Sequence, residues 1–149
     1  MKDARELVYD DVQTPHDAVR CLLRVRFAEC LTLQRALYGR DDEALHAFRL
    51  ACKRLRYAVE RFEDAMPELK GAAALLARMT DELGAAHDCV VLAERAHACG
   101  AHLVVARAQR DRDRYVRRSQ RSWRRAFRNR GALAPLAART NFGWQLPTK

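Results

Sequence analysis

Residues 46–60 read His-Ala-Phe-Arg-Leu-Ala-Cys-Lys-Arg-Leu-Arg-Tyr-Ala-Val-Glu. On a helix, at about 100° per residue, His46, Arg49, Lys53, Arg56, Tyr57 and Glu60 share an arc of roughly 100°. Leu45, Phe48, Cys52, Leu55, Val59 and Phe62 form an apolar stripe beside them. The segment therefore separates a packing face from a cationic one, with Arg54 and Arg61 on neither and expected in solvent. Guanidinium, ammonium and imidazole donors in one row suit the capture of an anion. The plainer alternative is a solvated face. Against it, an ordinary exposed face alternates signs at four-residue spacing, whereas here only Glu60 is acidic. Arg49 with Lys53, and Lys53 with Arg56, oppose helix formation by a few tenths of a kcal/mol per pair.

A second row lies further on. From Arg107 to Arg130 there are eleven arginines against two acids, Asp111 and Asp113, and the charges of the remaining chain cancel. The whole net charge of +9 thus resides in this segment. Helical spacing aligns Arg107, Arg110, Arg114, Arg117, Arg118, Arg121, Arg125 and Arg128 on one stripe about 30 Å long. Tyr115, Val116, Trp123, Ala126 and Phe127 take the opposite side, which should pack. Such a row of bidentate, permanently charged forks fits a repeating phosphate chain better than a compact ligand. A solvated or disordered basic tail is the alternative reading.

Other chemistry is thinly represented. His87-Asp88 suggests a general base, but neighbours in sequence do not face each other on a helix, so the pair is no dyad by itself. Capping or anion contact suits it better. His16, His97 and His102 have no evident partners and are expected as surface or core residues. The sequence holds no phosphate-cradling glycine loop, no HExxH, no GxSxG and no paired Glu-x-x-His, so neither catalytic residues nor metal ligands nor a cofactor are expected.

Positioning these side chains falls to helices. The 149 residues fit one domain, and 49% hydrophobic residues can build a core. Few glycines and prolines exclude collagen-like or turn-rich all-β chains. Thr14-Pro15 signals a helix start, and apolar residues then recur at helical steps to Gly39. Asp41-Asp42 starts a second helix that Pro67 must end. A third stretch, 67–99, is Ala- and Leu-rich and interrupted at Gly84. A fourth spans 101–129 with Gly131 as its stop. The spacing predicts an all-α antiparallel bundle of helices near 15–38, 42–66, 67–99 and 101–129. A tail, 131–149, lacks periodicity, and its Phe142 and Trp144 either dock on the body or stay disordered. No apolar run approaches bilayer length and no apolar signal core opens the chain, so a cytoplasmic protein without membrane contact is expected. Five cysteines in no CxxC pair are expected reduced and mostly buried; no ligand spacing supports zinc.

The segment HAFRLACKRLRYAVERF resembles the signature helix of the CHAD family, the conserved histidine α-helical domains. Leu83-Gly84 through Asp88, followed by Val91-Leu92, resembles that family's second, shorter signature. The resemblance implies an all-helical domain that binds inorganic polyphosphate through basic residues lining a groove, in some members at polyphosphate granules. It carries over to His46, Arg49, Lys53, Arg56 and Tyr57. Arg107, Arg110, Arg114, Arg117, Arg118 and Arg121 are added from periodicity alone. The family domain usually has two such helical halves, whereas this sequence shows one signature helix. A two-fold homodimer would then complete a groove.

Three binding functions compete: polyphosphate binding without catalysis, nucleic-acid binding, and docking on an acidic protein. Against nucleic acid, the basic stripes lack interleaved aromatics for stacking and well-placed Asn or Gln for reading bases.

Overall fold

The computed structural model describes residues 5–8, 12–127 and 131–138. Its long helices are α1 (Pro15–Leu33), α2 (Asp42–Phe62), α3 (Ala72–Ala98) and α4 (His102–Ala126), with a short α5 (Ala134–Ala138). Among the described residues there is no strand. Nor, among them, is any helix long and apolar enough to cross a membrane.

The helix starts follow local chemistry. Thr14 caps α1 in a capping box: its hydroxyl accepts from Asp17 N at 3.2 Å, and Asp17 accepts from Thr14 N at 3.1 Å. Asp41 caps α2, its Oδ1 accepting from Glu43 N and Ala44 N at 3.0 Å each. Gly100, at φ 70°, takes the left-handed conformation that folds α4 back on α3.

Each expected helix is trimmed or reshaped. The first tightens into a 3₁₀ segment, Gln34–Tyr38. The second stops at Phe62, four residues short of Met66. Met66 precedes proline, is driven out of the helical region (φ −132°, ψ 83°), and is buried. Pro67–Leu69 is a separate 3₁₀ turn, and α3 begins only at Ala72. Beyond it α3 runs unbroken through Gly84, so the expected interruption is absent. The tail also departs from expectation. Ala134–Ala138 is helical, and Leu133 and Leu136 are buried in the core. Gly131 permits this return, because a Cβ there would collide with the Ala126 carbonyl. Phe142 and Trp144 lie outside the described residues.

The core holds Phe27 of α1, Phe48 and Leu55 of α2, Leu76, Met79 and Leu83 of α3, and Trp123 of α4. Trp123 ties three elements, α4, α2 and the 3₁₀ segment. Its ring meets Phe48 at 5.3 Å and Phe127 at 4.9 Å, both edge-on, and its indole N–H donates to Gln34 Oε1 at 3.0 Å. Phe127 in turn meets Phe27 at 5.8 Å. The apolar stripe read from α2 is the buried one, and Val116, Trp123 and Ala126 form the packing side of α4 as expected. The cysteines are more exposed than expected. Cys30 and Cys52 are buried, Cys21 and Cys89 half-buried and Cys99 exposed, all as free thiols. Burial pushes the Cys30 thiol well up, with Cys52 beside it adding to the effect, which suits an inert packing role.

Candidate anion-binding face

The cationic row of α2 lies against the middle of α3. Arg49 Nε donates to the Thr80 carbonyl at 3.4 Å, and Arg56 Nη1 to Thr80 Oγ1 at 3.5 Å. These are long hydrogen bonds that orient more than they bind. A guanidinium carries five N–H donors, so each fork keeps donors beyond its bond to Thr80, although Arg56 Nε is buried. Gly84 supplies the room: a Cβ there would sit 3.3 Å from Arg49 Nη2. Thr80 is itself buried, with its hydroxyl donating to the Ala77 carbonyl at 2.8 Å.

At one end of the row the rings of His46 and His87 meet at 5.1 Å. His46 Nδ1 is buried without a hydrogen-bond partner. At the other end Arg56 and Lys53 sit over the Tyr57 ring, at 4.8 and 5.9 Å from its centre. Glu60 Oε1 faces Arg56 Nε at 3.3 Å as a partly exposed ion pair. His46, Arg49, Lys53, Arg56 and Tyr57 therefore form one continuous face with α3, and His87, doubtful from sequence, joins it. A cavity of about 640 Å³ opens on the other flank of α2, lined partly by Glu29, Asp41, Glu43, His46 and Arg54. Its three carboxylates suit it poorly to a polyanion, and Arg54 belongs there rather than in open solvent.

The α4 arginines are placed differently. Arg107, Arg110, Arg114, Arg117, Arg118 and Arg121 are exposed. Arg107 and Arg114 pair with Asp111 at 2.9 and 3.2 Å, and Arg110 Nε donates to its own helix at Ala106 O. Arg114 and Arg118 flank Tyr115, and Arg124 flanks Tyr38. Arg125 is exposed too; Arg128 lies outside the described residues. Arg112, unremarked in the sequence, turns inward. It donates to Asp42 and Asp113 and fastens α4 to the start of α2. Helical spacing puts Arg112 about 140° round from Arg107, among the residues of the packing side, and the approach of α2 gives it a partner there.

The model of the CHAD domain matches residues 2–97, more than half of the chain. The chain belongs to the CHAD family. The CHAD match takes in α1 as well as both signature segments, and stops short of α4. No curated protein and no solved structure matches the chain. Within this CHAD domain the two signatures meet each other, since Arg49 of the first rests on Gly84 of the second. Among the described residues, no group of three His, Cys, Asp or Glu side chains could hold a metal ion.

Burial, and then the neighbouring His87 and Arg49, hold His46 below the usual imidazole range. A histidine harder to protonate folded than unfolded costs stability as pH falls through the ordinary His range. The unliganded protein should therefore lose more melting temperature between pH 7.5 and 5.5 than a His46→Gln variant does. Equal losses in the two proteins would contradict this reading of the ring.

Proposed function

We propose that this CHAD-family chain binds inorganic polyphosphate on the face shared by α2 and α3 and does not turn it over. The reading is carried by one observation. Arg49, Lys53 and Arg56 stand in a row with two guanidiniums oriented by Thr80, and Glu60 is the one carboxylate in that row. The family's association with polyphosphate supports it. Preset cations bind with little ordering cost, and a phosphate chain offers oxygens at each repeat. His46 and His87 extend the row with imidazole donors. Hydrolysis would need an activated nucleophile or metal-held water, and Arg49, Lys53 and Arg56 offer neither a nucleophile nor a metal ligand. The α4 arginines add long-range attraction. The same reading includes a two-fold pairing of chains, for which the exposed Leu92, Leu103 and Val104 around the α3–α4 turn offer apolar surface. Sedimentation with and without long polyphosphate tests the pairing.

Competition titration of labelled long polyphosphate against duplex and single-stranded DNA tests the ligand. Polyphosphate should win at equal phosphate concentration, with no protein-dependent release of orthophosphate in Mg²⁺ or Mn²⁺. Preferential binding of DNA would assign the face to nucleic acid, and steady orthophosphate release would make the protein a hydrolase.

Gly84→Ala offers a sharper local check. Alanine favours a helix interior by roughly 0.8–1.0 kcal/mol over glycine, but its methyl displaces the Arg49 fork. The variant should melt no lower than the parent and yet bind polyphosphate several-fold more weakly. Undiminished affinity would show that the seat of Arg49 on α3 is immaterial.

A further inference from the structure

The α2–α3 face and the α4 arginines lie on different sides of the molecule. On α3, α2 is met by Thr80, Gly84 and His87. The same helix meets α4 through Glu82, whose Oε2 accepts from Ser119 Oγ at 3.3 Å, and along the flank of Cys89, near Asp111 and Arg114. At about 100° per residue these two rows stand roughly half a turn apart. So α3 meets the two basic helices on opposite sides, although Trp123 and Arg112 of α4 also reach Phe48 and Asp42 of α2. The exposed arginines also lie across α4 from its buried Ala108, Val116, Ser119 and Trp123, and so point away from the bundle. Arg112, the arginine of α4 that does turn toward α2, is occupied by Asp42 and Asp113. Nor does the family match include the row, since it ends at residue 97.

We propose that the α4 row is a second, independent polyphosphate site, so that one chain of this protein bridges two stretches of polyphosphate. The inference rests on the polyphosphate reading of the α2–α3 face. Arg110, Arg114, Arg117 and Arg121 recur at three- and four-residue steps, about 4.5–6 Å apart along the axis. Asp111 neutralises only the first turns, through Arg107 and Arg114; Arg117, Arg118 and Arg121 have no carboxylate partner among the described residues. Two faces pointing apart cannot both engage a short oligomer, but they can hold two separate chains or distant parts of one. Bridging then gathers long polyphosphate into an assembly by multivalency rather than by tighter contact.

Calorimetry with a polyphosphate of about ten phosphates, too short to wrap the bundle, tests the count. The intact chain should bind two oligomers. An Arg49→Ala/Lys53→Ala variant should bind one, and so should an Arg110→Gln/Arg114→Gln/Arg117→Gln/Arg121→Gln variant. With long polyphosphate, light scattering should rise for the intact chain and stay low for the quadruple variant. A control with the same charge loss elsewhere, Arg20→Gln/Arg24→Gln/Arg35→Gln/Arg61→Gln, should still scatter. One oligomer per intact chain, or equal loss of scattering in the control, would overturn bridging while leaving the α2–α3 site standing. Retention of duplex DNA but not polyphosphate by the α4 row would likewise overturn it and make that row a nucleic-acid surface. Failure of the intact chain to bind any polyphosphate would remove both readings.

Discussion

Raising salt from about 50 to 200 mM should weaken binding of long polyphosphate by about a thousandfold or more. Each cation that neutralises a phosphate displaces condensed counterions, and six to ten such contacts on a nucleic acid cost roughly 10³–10⁵ in affinity over this range. The protein offers that many. Arg49, Lys53 and Arg56 supply three on the α2–α3 face, and the exposed arginines of α4 supply the rest. Polyphosphate is at least as densely charged as a nucleic-acid strand, so the same release applies. The logarithm of affinity should fall linearly with the logarithm of salt. Removing Arg49 and Lys53 should make that line shallower. A change below about tenfold would mean that few cations contact the ligand.

Trp123→Ala should be the most damaging single change to the fold. The side chain is 1% exposed and packs against Phe48 and Phe127. Its removal leaves a large cavity where α2, α4 and the 3₁₀ segment meet, and leaves the buried Gln34 carbonyl without its indole donor. Tryptophan-to-alanine changes in cores cost about 3–5 kcal/mol, a large share of a typical 5–15 kcal/mol domain. Urea denaturation should show that loss, with a melting point lower by about 8 °C or more. A loss below about 1 kcal/mol would mean that Trp123 does not hold α4 to the body.

The same residue illustrates what the sequence could convey. Trp123 and Val116 were legible as core because an apolar stripe opposite eight arginines has only one place to go. His46, Arg49, Lys53 and Arg56 were legible as one face for the same reason of period. The partner of that face was not. Gly84 reads as a helix breaker, since glycine disfavours helices. Its actual role, room for the Arg49 fork, depends on how α3 is rotated against α2, which no single-helix pattern contains. Arg112 was partly legible: its spacing sets it about 140° from Arg107, on the packing side of α4, but only the start of α2 supplies the Asp42 it bonds. Leu133 and Leu136 were too few to show a period, yet Gly131 lets them return to the core.

The most direct test of the central claim is titration of polyphosphate into the Arg49→Ala/Lys53→Ala variant. Both side chains lie off the buried stripe of α2, so the variant should keep the helical circular dichroism and the melting behaviour of the parent. Measured in chains whose α4 row is already neutralised (Arg110→Gln/Arg114→Gln/Arg117→Gln/Arg121→Gln), the pair should lower the affinity for polyphosphate at about 100 mM salt by at least tenfold relative to that parent, since each lost charge-assisted contact is worth roughly 1.5–3 kcal/mol. A folded variant that binds polyphosphate as tightly as the parent would contradict the assignment of the α2–α3 face.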